Sequence, residues 1–420
     1  MMNKYNMANC LFETIEYLLK LGEKVIYRPH PIDLTKKGNI KLVDLVKSKF
    51  KKNSNFELDL SSSYLRSYSE AKILITDFSG TAYTFSYSTL KPVIFISKNE
   101  KNLLKSNNSK LTYFKDRKKI GVMCNLELSE EVKLLNMDSD GIGLFRTEYL
   151  YMNRDDLPTE HEQVQAYKKV FKKLDGKPVT LRTLDIGSDK EVSENIKVGQ
   201  IAKNPALGLR GIRYSLNEKN IFKVQIKAML RANQDGNLRI LIPMITTLDE
   251  IVKAKKLIED AKSELEREKK TYNDKYQIGI MIEVPASAIQ ANILCKYVDF
   301  MSIGTNDLVQ YILAIDRIDD EVTSLYDPTN PAVLFLIKQV IEVCNKSKTN
   351  ITVCGEMAGE KLYTKLLLGL GLTSFSMHPQ AIPEIKNIIA QTDVTKIKSK
   401  VNAILKCNDF HLRSQLIESL

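Results

Sequence analysis

Tryptophan is absent from the chain, and its four histidines (His30, His161, His378 and His411) are scattered over 420 residues. So few imidazoles leave little material for a multi-histidine metal centre. The six cysteines (Cys10, Cys124, Cys295, Cys344, Cys354 and Cys407) form no Cys-x-x-Cys pair. In a chain this long, that pattern reads as free thiols in a reducing cytoplasm, not as a disulfide scaffold or a zinc knuckle. No run approaches the roughly 18 apolar residues that a membrane span needs. The polar start, Met1 to Cys10, lacks a signal-peptide pattern. The expectation is a cytoplasmic protein with no membrane span.

A net charge of +11 is present but unevenly placed. Residues 1–120 carry 22 Lys and Arg against 11 Asp and Glu. Subtracting from totals of 62 and 51 leaves 40 of each in the remaining 300 residues, which are therefore neutral. A basic segment can mark a nucleic-acid or anionic surface. The lysines here are dispersed, and the reading adopted is a solvated face with no nucleic-acid partner. Two parts of such different balance suggest two domains, with the boundary near residue 113. The Lys-, Asn- and Ser-rich stretch before it (97–119) reads as a crossover.

The first part alternates helical and strand patterns, which predicts a small Rossmann-like parallel α/β layer over residues 1–112. Helices are expected at 8–21, 40–50 and 81–90, and strands at 24–27, 56–60, 71–76 and 92–97. His30, Asp77 and Ser79 each follow a strand, on the edge where such sheets bind nucleotides. Each also suits a turn or a cap. The stretches YRPHP (27–31) and AKILITDFSGTAYTFSYSTLKPVIF (71–95) resemble the C-terminal half of CDP-glycerol glycerophosphotransferases, which are GT-B enzymes. The resemblance implies that His30, Asp77 and Ser79 lie near a nucleotide's phosphates. The other half of such a cleft is not recognisable.

The second part, 113–420, holds eight strand-like runs: 120–125, 141–147, 179–186, 238–245, 278–284, 300–304, 351–356 and 374–378. Helical patterns at 160–174, 247–269, 332–345 and 361–368 separate several of them. Eight β/α units in about 300 residues predict a (β/α)8 TIM barrel, with an open doubly wound sheet as the alternative. In a barrel the carboxyl ends of the strands share one rim. Those ends carry Arg146, Arg182, Glu283, Asn306, Asp307 and Cys354, with Arg210 and Arg317 close behind. Thr305-Asn306-Asp307 also reads as an N-cap.

Arginine forks grip phosphate and carboxylate oxygens. Glu283 and Asp307 are oxygen ligands suited to Mg²⁺. A thiol at Cys354, with an ordinary pKa of roughly 8.5, could give up a proton in such a site. The combination suits a small phosphorylated acid and phosphoryl transfer. A structural Arg–carboxylate network is the competing explanation of the rim, and a small buried residue that of Cys354.

The stretches DGIGLFRTEYLYMNRDDLPTEHEQVQAY, LRTLDIGSDK, NPALGLRGIR, IGIMIEVPA, MSIGTNDLVQYILAIDR, VCGEMAG and GLTSFSMHPQAIPEIK occur in this order. They resemble Enzyme I of the bacterial sugar phosphotransferase system, the phosphoenolpyruvate–protein phosphotransferase family, from about residue 117 to beyond 400. The resemblance implies a barrel that binds phosphoenolpyruvate (PEP) and Mg²⁺. Arg146, Arg182 and Arg317 would hold phosphate and carboxylate, with Arg210 as helper. Glu283 and Asp307 would be the metal ligands, Asn306 would contact the phosphate, and Cys354 would protonate the enolate carbon as pyruvate forms. It also implies a homodimer through the barrel, a phosphohistidine domain as immediate partner and an HPr-type carrier beyond it. The Gly-Gly-x-x-Ser-His type motif of that domain is not present, so the acceptor would act in trans. A PEP sensor without turnover, a glycerophosphotransferase acting through the first segment, and a fusion of two truncated coding regions are the other readings.

Overall fold

A computed structural model describes residues 4–29, 37–60, 70–72, 74–76, 93–95, 112–113, 119–134, 139–152, 154, 156–186, 204–234, 236–317, 319 and 321–420. The chain divides into two compact units, Met1–Ser106 and Asn107–Leu420.

The first unit contains α1 (Lys4–Lys20), β1 (Val25–Tyr27), α2 (Lys37–Phe50), β2 (Phe56–Leu58), β3 (Leu74–Thr76) and β4 (Val93–Phe95). The strands pair in parallel, β1 with β2 and β3 with β4. Parallel neighbours require a crossover, and α2 lies between β1 and β2 in the chain. Ile15 from α1 packs with Val46 and Phe50 from α2, and Phe56 closes the cluster with its ring centroid 5.5 Å from that of Phe50. The helix expected at 81–90 lies outside the described residues.

In the second unit a closed parallel barrel is formed by β6 (Lys119–Leu126), β7 (Ile142–Arg146), β8 (Val179–Arg182), β9 (Leu238–Ile242), β10 (Tyr276–Ile282), β11 (Phe300–Ile303), β12 (Asn350–Val353) and β13 (Ser374–Met377). Each pairs with the next, and β13 returns to β6 through Ser374↔Gly121 to Met377↔Cys124. A short β5 (Thr112–Tyr113) adds antiparallel to β6. The open-sheet alternative is thereby excluded. The paired strands stop earlier than the apolar runs. Thr183 to Ile186, for example, stay buried after β8 has left the ladder. Apolar content marks burial at the rim as well as pairing.

Helices wrap the outside, among them α3 (Glu160–Leu174), α4 (Ile212–Asn217), α5 (Lys219–Ala232), α6 (Leu248–Arg267), α7 (Pro285–Ile289), α8 (Ala291–Leu294), α9 (Thr305–Leu313) and α10 (Pro331–Ser347). Their starts are locally encoded. Thr159 and Glu162 form a reciprocal capping box on α3, and Thr247 and Glu250 do the same on α6. The lumen carries its own small cluster, Leu144, Leu241, Met281, Phe300 and Cys354. Arg239 stacks 3.8 Å over the Phe300 ring within it. That burial lowers the guanidinium's pKa to about 10, well below its usual range.

Candidate functional site

Functional side chains rise from, or just past, the carboxyl ends of the barrel strands. Arg146 ends β7 and Arg182 ends β8, and the two are register partners. Glu283 follows β10, Asn306 and Asp307 open α9 after β11, and Cys354 follows β12. Arg210 arrives just ahead of α4, and Arg317 lies beyond α9. All eight line one cleft.

Clustered guanidiniums repel one another unless carboxylates stand between them. Arg146 Nη1 donates to Glu127 Oε1 at 2.8 Å. Arg182 donates to Glu148 through Nη2 and meets Asp185 Oδ2 at 2.9 Å through Nη1. Arg210 grips Asp185 with two bonds, Nε to Oδ1 at 3.0 Å and Nη2 to Oδ2 at 3.1 Å. Its Nη1 reaches Asp307 Oδ1 at 3.2 Å. Burial works against all three charges. The carboxylates outweigh it and hold each guanidinium above its usual range: Glu127 first for Arg146, Glu148 for Arg182, Asp185 for Arg210. Four arginines and four acids (Glu148, Asp185, Glu283, Asp307) line the cleft, so it is close to neutral.

Glu283 is fully buried. Its Oε1 accepts the Met244 N–H at 2.6 Å, while its Oε2 is buried without a hydrogen-bond partner. Burial first, then the charges of Asp185 and Asp307, push this carboxyl up to about 8. A divalent cation would relieve such a carboxylate. Among the described residues no group of three or more His, Cys, Asp and Glu could hold a metal unaided. The unpartnered Oε2 of Glu283, with Asp307 in the same cleft, is a donor set of the oxygen type that Mg²⁺ takes when substrate oxygens and water complete its shell.

The N-cap explanation of Thr305-Asn306-Asp307 does not hold. Gly304 is the N-cap of α9, and no side chain caps it. Asn306 instead pairs with the next strand end: Nδ2 donates to Glu356 Oε1 at 2.9 Å, and the Glu356 N–H donates to Oδ1 at 2.9 Å. Gly355 makes that approach possible. A Cβ there would sit 1.9 Å from Thr305 Oγ1 and 2.7 Å from Thr305 N. Cys354 is buried in the lumen cluster, and burial pushes its thiol up to about 11, above the ordinary value expected from sequence. It is thus a protonated group at neutral pH.

The sequence showed Glu148 and Asp185 inside the strand-end motifs, two and three residues from an arginine already chosen, without marking them as site residues. Glu127 and Tyr311 gave no local signal. Tyr311 lies one turn after Asp307 on α9 and donates its hydroxyl to the Ala206 carbonyl at 2.5 Å, tying down the loop that delivers Arg210. His161, His378 and His411 are exposed. Among the described residues, no histidine lines the cleft. His30, Asp77 and Ser79 lie outside the described residues.

Comparison with known proteins places the barrel unit in a family. Residues 101–394 match the family model for the PEP-utilising enzyme, PEP-binding domain. The chain belongs to the PEP-utilising enzyme family. It is 43% identical over 287 residues to a phosphoenolpyruvate-protein phosphotransferase of Priestia megaterium, covering 68% of this chain and 50% of that one. The protein of the same name from Latilactobacillus sakei is 42% identical over 302 residues (72% and 52%), and that from Bacillus subtilis 43% over 292 residues (69% and 50%). The chain thus spans about half the length of these curated relatives.

Proposed function

We propose that this chain is the PEP-binding half of an Enzyme I-type phosphotransferase, which passes the phosphoryl group of PEP to a protein histidine and releases pyruvate. The observation that carries the reading is the meeting of four guanidiniums, a buried carboxylate with an unpartnered oxygen, and a protonated buried thiol in one cleft. Arg146, Arg182 and Arg317, helped by Arg210, hold the phosphate and carboxylate of PEP. Ligand oxygens replace part of the arginine–carboxylate pairing and inherit forks already aimed into the cleft. Asn306, its amide fixed by Glu356, has a further N–H for a phosphate oxygen. Glu283 and Asp307 hold Mg²⁺, whose charge offsets that of PEP in a cleft that is otherwise neutral.

The reaction breaks the ester P–O bond and forms a P–N bond to the histidine. The electron pair stays on the enolate oxygen, where the arginines stabilise it. The enolate C3 then takes the Cys354 proton, giving pyruvate and a thiolate that solvent reprotonates. A thiol pKa above neutrality keeps that proton available for the enolate. The histidine belongs to a phosphohistidine domain, and an HPr-type carrier of the sugar phosphotransferase system takes the group onward.

The exposed apolar side chains Ile289, Ile293 and Phe335 lie on α7, α8 and α10, three helices in mutual contact. They support a homodimer through this face of the barrel. No described helix is long and apolar enough to cross a membrane. Among the described residues five cysteines are free thiols.

The test is incubation of the full chain with PEP, Mg²⁺ and an isolated phosphohistidine domain. Pyruvate should appear in step with phosphohistidine. Absence of both, or equal yields from Arg182→Ala, would overturn the reading.

A further inference from the structure

Cys354 is held from across the barrel seam. Between β12 and β13 the ladder is short, with a single register pair, Val353↔Phe375. One residue later the chain reaches Cys354, with no strand pairing on that side. A side chain from the strand beyond takes over. Asn125 of β6 reaches across β13 and donates its Nδ2 to the Cys354 carbonyl at 2.9 Å. Its Oδ1 accepts the Ser376 hydroxyl of β13 at 2.5 Å. Three strands are thus joined through one amide, whose orientation the two bonds fix.

Two independent features point the same way. The β6–β7 register slips between Cys124 and Asn125. Such irregularities re-aim a side chain, and they gather beside active sites. Gly143 of β7 leaves space for the Ser376 hydroxyl: a Cβ there would lie 2.3 Å from Ser376 Oγ. Asn125 is 8% exposed and Ser376 fully buried, so each must find a partner within the protein.

We propose that Asn125 and Ser376 are positioning residues for Cys354, an amide–hydroxyl brace that continues the hold on β12 where its short ladder with β13 stops and sets where the thiol sits. Their effect passes through the Cys354 backbone, not through contact with substrate. The inference rests on the reading in which Cys354 delivers the proton to the enolate carbon.

The test reads the thiol directly. Full-length parent, Asn125→Ala and Ser376→Ala are treated with iodoacetamide at one pH, and alkylation of Cys354 is followed by peptide mass spectrometry. Loss of the Asn125 bond frees the strand end, and Cys354 should alkylate about fivefold faster or more, with a smaller rise for Ser376→Ala. Calorimetry should show PEP binding to Asn125→Ala unchanged. In the coupled assay, Asn125→Ala should lower turnover in the parent background and add nothing to Cys354→Ala. If Asn125→Ala does not fold, the Ser376→Ala rate decides by itself. A folded variant that alkylates Cys354 at the parent rate overturns the brace. So does an Asn125→Ala loss of turnover that adds in full to Cys354→Ala. Unaltered pyruvate formation by Cys354→Ala would instead overturn the proton-donor role and leave the alkylation result standing.

Discussion

At the scale of single residues, three of the site's four guanidiniums, Arg146, Arg182 and Arg210, are each answered by a carboxylate before any ligand arrives. Arg182 shows the consequence. It is 6% exposed and paired with both Glu148 and Asp185. Removing it takes a cationic partner from the buried Glu148 and from Asp185, which keeps Arg210, and costs about 3–5 kcal/mol of stability. Arg182→Ala should therefore lower the urea midpoint as well as abolish PEP binding. Arg182→Lys should retain more of the stability but lose the bidentate grip. A denaturant titration beside calorimetry separates the two effects. Cys354 supplies a pH test. Its thiol lies at about 11 in the folded protein and near 8.5 in an unfolded chain. A pKa raised by folding gives stability that is present below the unfolded value and is lost as pH climbs towards the folded one. Thermal melts should fall between about pH 8.5 and 11, and Cys354→Ala should flatten part of that fall. Among these residues the sequence pointed to Arg146, Arg182, Glu283, Asp307 and Cys354 because they lie at or just past the ends of strand patterns, and to Arg210 and Arg317 because they follow close behind. It could not reveal Glu127, Tyr311 or Asn125, whose partners lie 19, 105 and 229 residues away.

At the scale of elements, the rim depends on how closely strand ends and helix starts approach. Gly355 is the tightest point, between the end of β12 and the first turn of α9. Gly355→Ala should push the two apart, break the Asn306–Glu356 pairing and cost about 1–3 kcal/mol. The urea midpoint measures the cost, and a matching drop in PEP affinity measures its reach. The helices with capping boxes were legible to within two residues: 160–174 matches α3, and 247–269 matches α6 with frayed ends. Threonine followed three residues later by glutamate announces those starts. The N-cap alternative for the start of α9 arose because Thr-Asn-Asp has the composition of a cap. Its polar atoms are claimed instead by Glu356 and Arg210, which no local pattern shows.

At the scale of the whole molecule, the barrel was legible because eight apolar runs alternate with helical periods, and parallel pairing around a ring is the economical way to bury them. The first unit was legible as a parallel layer by the same alternation. The proposed homodimer belongs at this scale. Replacing Ile293 and Phe335 together by Glu should halve the mass measured by light scattering and leave the fold intact, since both are already exposed in the single chain. An unchanged mass would remove this face from the account.

The central claim is that the barrel's rim grips PEP around a divalent ion. Titration of PEP into the full chain by calorimetry, with and without Mg²⁺, measures it most directly. The account predicts one saturable site per chain that requires Mg²⁺, weakened about tenfold to a hundredfold in Arg210→Ala and lost in Glu283→Gln. Binding that ignores both substitutions, or no binding with Mg²⁺ present, would contradict it.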